Sequence, residues 1–271
     1  MKTTPLKSRS ATLWISLILG FIFLLTVTRL VIIGIRAGKE SLQGDFVAYY
    51  TAGQALNLGL SPYKNFIAHD PPLWDGVARS RYSRFLYPPL VAALFQPLAW
   101  MSYATSKYVW ELITLASLGF SLYLTTRIFL LKSVNQYLAA GVVATLFFPV
   151  LTHIEIGQID AITLLLITVS IVLITRNLKR EGLLAGFCLA VATLLKLHTI
   201  YFLPFILIKK RVHVLQGFLY GIIIIILTTM IFPGRDYLYD YAINQFPRIS
   251  GIMAVDDSLG RAERQLIKNM L

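Results

Sequence analysis

Charge and cysteine are what this chain has least of. Asp, Glu, Lys and Arg together supply 14% of its 271 residues, against 56% hydrophobic ones. With a mean hydropathy of +0.68, that is more apolar surface than one soluble core of this length can hide. A lipid bilayer is the natural solvent. The single cysteine, Cys188, excludes an internal disulfide framework; it lies inside an apolar run and reads as a small buried hydrophobe. Acidic residues are the scarcer sign, 13 against 25 basic ones, for a formal net charge of +12. The basic excess does not form the aromatic-studded soluble stripe of a nucleic-acid binder. Lys and Arg cluster instead at the ends of apolar runs, as cations held at headgroup level do, so membrane lipids and not nucleic acid are the expected partners. The sequence also lacks a Gly-rich phosphate loop and a strong metal-ligand spacing, and neither metal nor cofactor is expected. It shows no internal repeat and no low-complexity linker.

What the chain does have is a series of apolar runs near the length of about 20 residues that crosses a bilayer. The first, Ala11 to about Ile35, follows Lys2, Lys7 and Arg9. It is too long for a signal peptide and lacks a small-residue cleavage site, so it reads as an anchor entering from the cytoplasm. Further spans are expected near Tyr108–Leu131, Tyr137–Leu151, Ala161–Thr175, Leu183–Leu195, Thr199–Ile208 and Val214–Phe232. The basic turns at Arg176–Arg180 and Lys209–Arg211 belong in the cytoplasm by the positive-inside rule. They fix the parity: the His153–Asp160 stretch lies outside, and Tyr87–Met101 does not cross. That segment opens with Pro88-Pro89 and carries Pro97, so its helix is broken and it reads as re-entrant or interfacial. The expected fold is all-α, with about seven transmembrane helices over residues 1–233, a large extracytoplasmic loop at 34–107 containing the 87–101 segment, and an extracytoplasmic tail at 234–271.

Three polar clusters need an explanation in so apolar a chain. Gly44-Asp45-Phe46 through Tyr49-Tyr50 predicts a short helix beginning just after Asp45; the carboxylate there reads either as a helix cap or as a general base beside a cleft. Asp70 and Asp75, with His69, are alternative carboxylates in the same loop. His153 through Asp160, including Glu155 and Gln158, sits at the outer mouth of two spans, where charge tends to face a wet cavity or a partner. Asp160 reads equally well as the cap of the next helix and His153 as an interfacial anchor. Lys196-Leu197-His198 ends an apolar run on the outer side. A cation there is accounted for either by an anionic ligand such as a lipid phosphate or by snorkelling to the headgroups, and Arg79, Arg81 and Arg84 admit the same two readings.

Taken together these clusters resemble glycosyltransferase family 87, the polyprenyl-phosphate-mannose-dependent mannosyltransferases of the GT-C superfamily. The matching text is Gly44-Asp45-Phe46 through Tyr49, Ala52-Gly53-Gln54-Ala55-Leu56, Pro62-Tyr63, Phe85 through Leu90 with Pro97-Leu98-Ala99, Gly157-Gln158 with Asp160, and Ala192 through Lys196 with Pro204. The resemblance implies an enzyme of the plasma (inner) membrane. It would move a hexose, mannose in the family, from a polyprenyl phosphate to a lipid-linked or glycan hydroxyl on the extracytoplasmic face. Asp45 would be the catalytic base, with Lys196 and His198 on the donor phosphate. Tyr49, His153, Gln158 and Asp160 would contact sugar or acceptor.

Family members usually continue through several more spans, whereas this chain stops at Leu271. It is therefore expected to correspond to an amino-terminal portion, with a companion polypeptide supplying the missing spans or with activity lost. The competing class is a non-catalytic transporter or assembly subunit. A transporter places its polar groups near the middle of broken spans, and here they fall at the outer ends.

Overall fold

The computed structural model describes residues 6–39, 44–63, 85–176 and 178–249, and the regular structure among them is helical. In chain order the helices are α1 (Leu6–Lys39), α2 (Asp45–Asn57), α3 (Pro89–Phe95), α4 (Tyr103–Ile128), α5 (Val134–Leu146), α6 (Phe148–Ile156), α7 (Asp160–Arg176), α8 (Lys179–Leu195), α9 (Phe202–Ile208), α10 (Val212–Thr229), α11 (Arg235–Asp240) and α12 (Phe246–Ile249). Short 3₁₀ segments lie at Leu98–Trp100 and Leu197–Tyr201. His69, Asp70, Asp75, Arg79, Arg81 and Arg84 lie outside the described residues.

Three stretches are long and apolar enough to cross a bilayer, Ala11–Ala37, Tyr103–Ile128 and Val212–Gln245. The pair α5 and α6 passes as one span bent by 55°. The bend is written locally: Phe147 is extended (φ −64°, ψ 113°), and Pro149 in the first turn of α6 has no N–H to continue the ladder. At 17 residues each, α7 and α8 are about 25 Å long, short of a hydrocarbon core of about 30 Å. The stretch expected as a span at Thr199–Ile208 is a 3₁₀ turn followed by the seven-residue α9. The chain is thus a helical membrane protein, and among the described residues three helices meet the length and apolarity of a crossing, or four counting the bent pair, where run lengths and charged turns predict seven. Similarly, α3 has seven residues and stops at Gln96, just before Pro97.

The chain forms two compact units, Met1–Glu40 with Lys107–Ile222, and Ser41–Ser106 with Ile223–Leu271. In the first, α1 lies along α5, and their hydroxyls meet where Thr145 donates to Thr26 at 2.7 Å. Leu30, Leu151 and Ile154 make a small apolar core with Leu115. At its start, α5 is held by a reciprocal box in which Ser133 Oγ accepts from the Gln136 N–H and Gln136 Oε1 accepts from the Ser133 N–H. Next in the chain, α7 and α8 form a hairpin, pinned by Ser170 Oγ donating to the Ala185 carbonyl at 2.8 Å. Against α10, α8 presents Gly182, Gly186 and Ala190, and α10 answers with Gly217 and Gly221. A Cβ at Gly221 would stand 2.6 Å from Ala190 Cβ, and one at Gly182 would stand 2.9 Å from His213 Cβ. Small residues at four-residue spacing let backbones approach where lipid offers no hydrophobic drive to associate.

In the second unit, α2 packs on α3 so closely that a Cβ at Gly53 would lie 2.7 Å from the Phe95 carbonyl carbon. Asn57 and Gln96 lock the pair, Asn57 Nδ2 donating to the Gln96 carbonyl and Gln96 Nε2 to Asn57 Oδ1, both at 3.1 Å. Ten residues of α2, Phe46 through Gly53 with Ala55 and Leu56, are buried, so burial rather than amphipathic patterning holds this helix.

Candidate functional site

The first unit gathers most of the polar residues singled out in the sequence at one junction. Helix α6 ends at Gly157, whose left-handed backbone (φ 71°) is a conformation glycine adopts without strain. That turn carries the chain through Gln158 to Asp160, the first residue of α7. Helix α8 ends at Lys196, where the backbone becomes extended (φ −145°, ψ 107°). The extension brings Lys196 Nζ to 3.2 Å from Asp160 Oδ1, with the two side chains 21% and 40% exposed. Both charges therefore remain within reach of a ligand. His153 is buried; its Nε2 accepts the Ala161 N–H at 3.3 Å, the Gln158 side chain hydrogen-bonds to it, and the charges of Asp160, Lys196 and Lys107 all act on its ring. An acceptor at Nε2 places the neutral ring's proton on Nδ1. His198 is exposed on the 3₁₀ segment that follows Lys196.

Three residues of α4 were not anticipated. Trp110 Nε1 donates to the Gly157 carbonyl at 2.8 Å, which fixes the turn leading into Asp160. Lys107 lies three residues before it and Glu111 one after, buried at 1% and 5% side-chain exposure with Nζ and Oε1 2.9 Å apart. Glu111 Oε2 and Thr114 Oγ1 are buried without a hydrogen-bond partner. Two opposite charges one turn apart in an otherwise apolar stretch were a visible signal, because intramembrane ions face the interior and mark function. Removing either partner would leave the other charged and buried, at about 3–5 kcal/mol. Trp110→Phe keeps the packing and removes only the indole donor. It is expected to cost about 1–3 kcal/mol for the orphaned Gly157 carbonyl, read as a lower denaturation midpoint of the detergent-purified chain.

In the second unit, Asp45 is the first residue of α2 and is half-buried. Gly44 occupies the cap position without a side-chain cap hydrogen bond, and Asp45 is the acidic residue of the first turn. Tyr49 is fully buried, stacked on Phe95 with ring centres 4.9 Å apart, and its hydroxyl meets that of Tyr87 at 2.9 Å. Tyr63 donates to the Tyr87 carbonyl at 2.9 Å. Burial, then Tyr241 and the Asp240 charge, push the Tyr63 hydroxyl far above its usual range, so it remains a donor. Tyr49 thus supports this aromatic cluster from within. Among the described residues no group of three or more His, Cys, Asp or Glu side chains is placed to hold a metal ion.

The Asp160–Lys196 junction and the α4 pair lie inside a stretch, residues 85–259, that matches the profile of glycosyltransferase family 87. The chain belongs to glycosyltransferase family 87. No curated protein and no solved structure matches it. Membership makes it a glycosyltransferase that handles a sugar donor and an acceptor, and sets aside the transporter and assembly-subunit readings. The matched stretch holds His153, Gln158, Asp160, Lys196 and His198. Asp45 and Tyr49 precede it.

Proposed function

We propose that this family member is an inverting hexosyltransferase that uses a polyprenyl-phosphate donor, mannosyl in the family it resembles, and a lipid-linked or glycan hydroxyl on the extracytoplasmic face of the plasma membrane. The fold in this reading is a GT-C-like bundle in which α7, α8 and the α9 region complete about seven crossings. A companion polypeptide supplies further spans where the family has them. In the transfer step the acceptor O–H gives its proton to the Asp45 carboxylate while its oxygen forms the bond to the anomeric carbon. The bond from that carbon to the phosphate oxygen breaks, and its electron pair stays on the phosphate. A phosphate leaving group needs a cation more than an acid, and that is the role given to Lys196, with His198 available from the exposed segment beside it. Asp160, Gln158 and His153 orient sugar hydroxyls, and Asp160 holds the ammonium in place between turnovers.

One observation carries this reading: a lysine and an aspartate from the ends of two different helices, both still partly exposed, pair at 3.2 Å inside the family-matched stretch. A pair serving packing alone would gain nothing from standing at an open junction, since half-exposed ion pairs stabilise by at most about 1 kcal/mol.

The test is transfer of labelled sugar from a polyprenyl phosphate to membrane acceptors by the chain reconstituted in liposomes, with and without candidate companion chains. Transfer is expected, and Lys196→Met is expected to lower its rate about 10²-fold, with Lys196→Arg retaining part of it. Use of a soluble nucleotide sugar instead, or solute movement without transfer, would remove the donor assignment.

A further inference from the structure

A second feature of the first unit owes nothing to the transferase reading. Where the α7–α8 turn meets the turn between α9 and α10, the surface opens into a cavity of about 300 Å³, the lower end of the roughly 300–1,000 Å³ typical of small-ligand pockets. Its floor is apolar, made by Leu173, Ile174 and Leu178. Its rim carries Lys209, Lys210 and Arg211 together with His213, whose Nδ1 pairs with Gln216 Oε1 at 3.1 Å, and none of its described lining residues is acidic. The nearby carboxylate of Glu181 is turned to Arg176, 4.0 Å away.

The way the rim is built argues for the charge itself. Helix α9 closes with the Lys210 N–H on the Leu207 carbonyl and the Arg211 N–H on the Ile206 carbonyl, both at 3.0 Å. This closure puts its penultimate residue in the left-handed region, and Lys210 stands there at φ 51°. Glycine is the low-strain residue for that position. The same closure at the end of α4 places Leu130 at φ 52°, so the geometry alone does not call for a cation.

We propose that this cavity binds the phosphate of an anionic lipid headgroup, the basic rim taking the phosphate oxygens and the apolar floor the start of the acyl region. Basic pockets between membrane helices suit such headgroups, and guanidinium and ammonium donors suit phosphate oxygens. The generic alternative is bulk attraction of any basic turn to an anionic surface. It predicts dependence on net charge and not on position.

Native mass spectrometry of the full purified chain, titrated with phosphatidylglycerol or phosphatidylcholine of identical acyl chains, separates these. The unaltered protein is expected to retain phosphatidylglycerol at least about tenfold more tightly. Two cations near a headgroup account for about 10–30-fold, so Lys209→Gln/Lys210→Gln should erase most of the preference. Arg127→Gln/Lys132→Gln removes the same charge at another basic turn and should leave the preference in place. Equal loss in both double variants, or equal retention of the two lipids by the unaltered chain, overturns the proposal; the second comparison decides the matter even if a variant does not fold. Inorganic phosphate displacing the lipid at comparable concentration would assign the cavity to the free ion and overturn the headgroup as its occupant.

Discussion

Asp45→Asn is expected to cut sugar transfer by about 10²–10⁴-fold, the range for loss of a positioned general base, while leaving the helix that carries it folded. The separation of chemistry from stability follows from how α2 begins. Gly44 holds the cap position without a side-chain hydrogen bond, so an amide in place of the carboxylate forfeits no cap. The attraction of a carboxylate for a helix amino terminus is itself modest, about 0.3–1 kcal/mol. The measurement is therefore a pair: kcat and KM for the donor in liposomes, and the unfolding midpoint of the same preparation. A fall in kcat with KM and midpoint little changed is the signature of a base. Full activity in Asp45→Asn would transfer the role to another carboxylate. Because Asp45 precedes the family-matched residues 85–259, this experiment tests an assignment that lies outside the matched stretch.

Gly186→Ala is expected to destabilise the first unit by at least about 3 kcal/mol, the upper end of ordinary overpacking. One methyl group is a small change on most helix faces. Here the new Cβ would press into the Val214 carbonyl oxygen and the Phe218 nitrogen and stand 2.8 Å from the Gly217 carbonyl carbon. These are backbone atoms, with no rotamer to relieve the clash. Helices α8 and α10 would have to separate, and the contacts of Gly182 and Gly221 along the same seam would open with them. Gly20 is the matched control, since a Cβ there meets nothing within 4 Å, and Gly20→Ala should leave the midpoint unchanged or slightly raised. Unfolding of both variants in mild detergent, followed by helical circular dichroism, gives the comparison. A Gly186→Ala chain as stable as its control would mean that the two helices are not held at this distance.

Several parts of this arrangement were legible before any coordinates. Composition alone demands a membrane protein, and the start of α2 at Asp45 follows from small and aromatic residues after a glycine. The clusters around Asp160 and Lys196 were recognised as unusual because each sets a charge at the end of an apolar run. Their pairing was not legible, for it depends on the extended backbone at Lys196, where the ammonium meets Asp160. Among the described residues three helices, or four counting the bent pair, have the length and apolarity of a span, and the other expected crossings fall on the shorter helices α7, α8 and α9. An apolar run reports burial in lipid or protein but not helical continuity, and breaks at Phe147 and around Leu197–Tyr201 divide runs that hydropathy reads as whole. Lys107 and Glu111 escaped notice for the opposite reason: each, taken alone, looks like a terminal charge, and only their spacing of one helical turn makes them a pair. The glycines at 182, 186, 217 and 221 carried a readable spacing, but their partners lie on separate helices, and that matching emerges only in three dimensions.

With Asp45 as the base proposed above, the tight seating of α2 would bear on how acceptors are chosen. A carboxylate mounted on so deeply embedded a helix is a stationary target, unable to follow its substrate. In a transferase built this way, discrimination among hydroxyls becomes a question of elevation: an acceptor reacts when its own length lifts the right oxygen to the level of that carboxylate. Chain length, more than sugar identity, would then decide which glycan is extended.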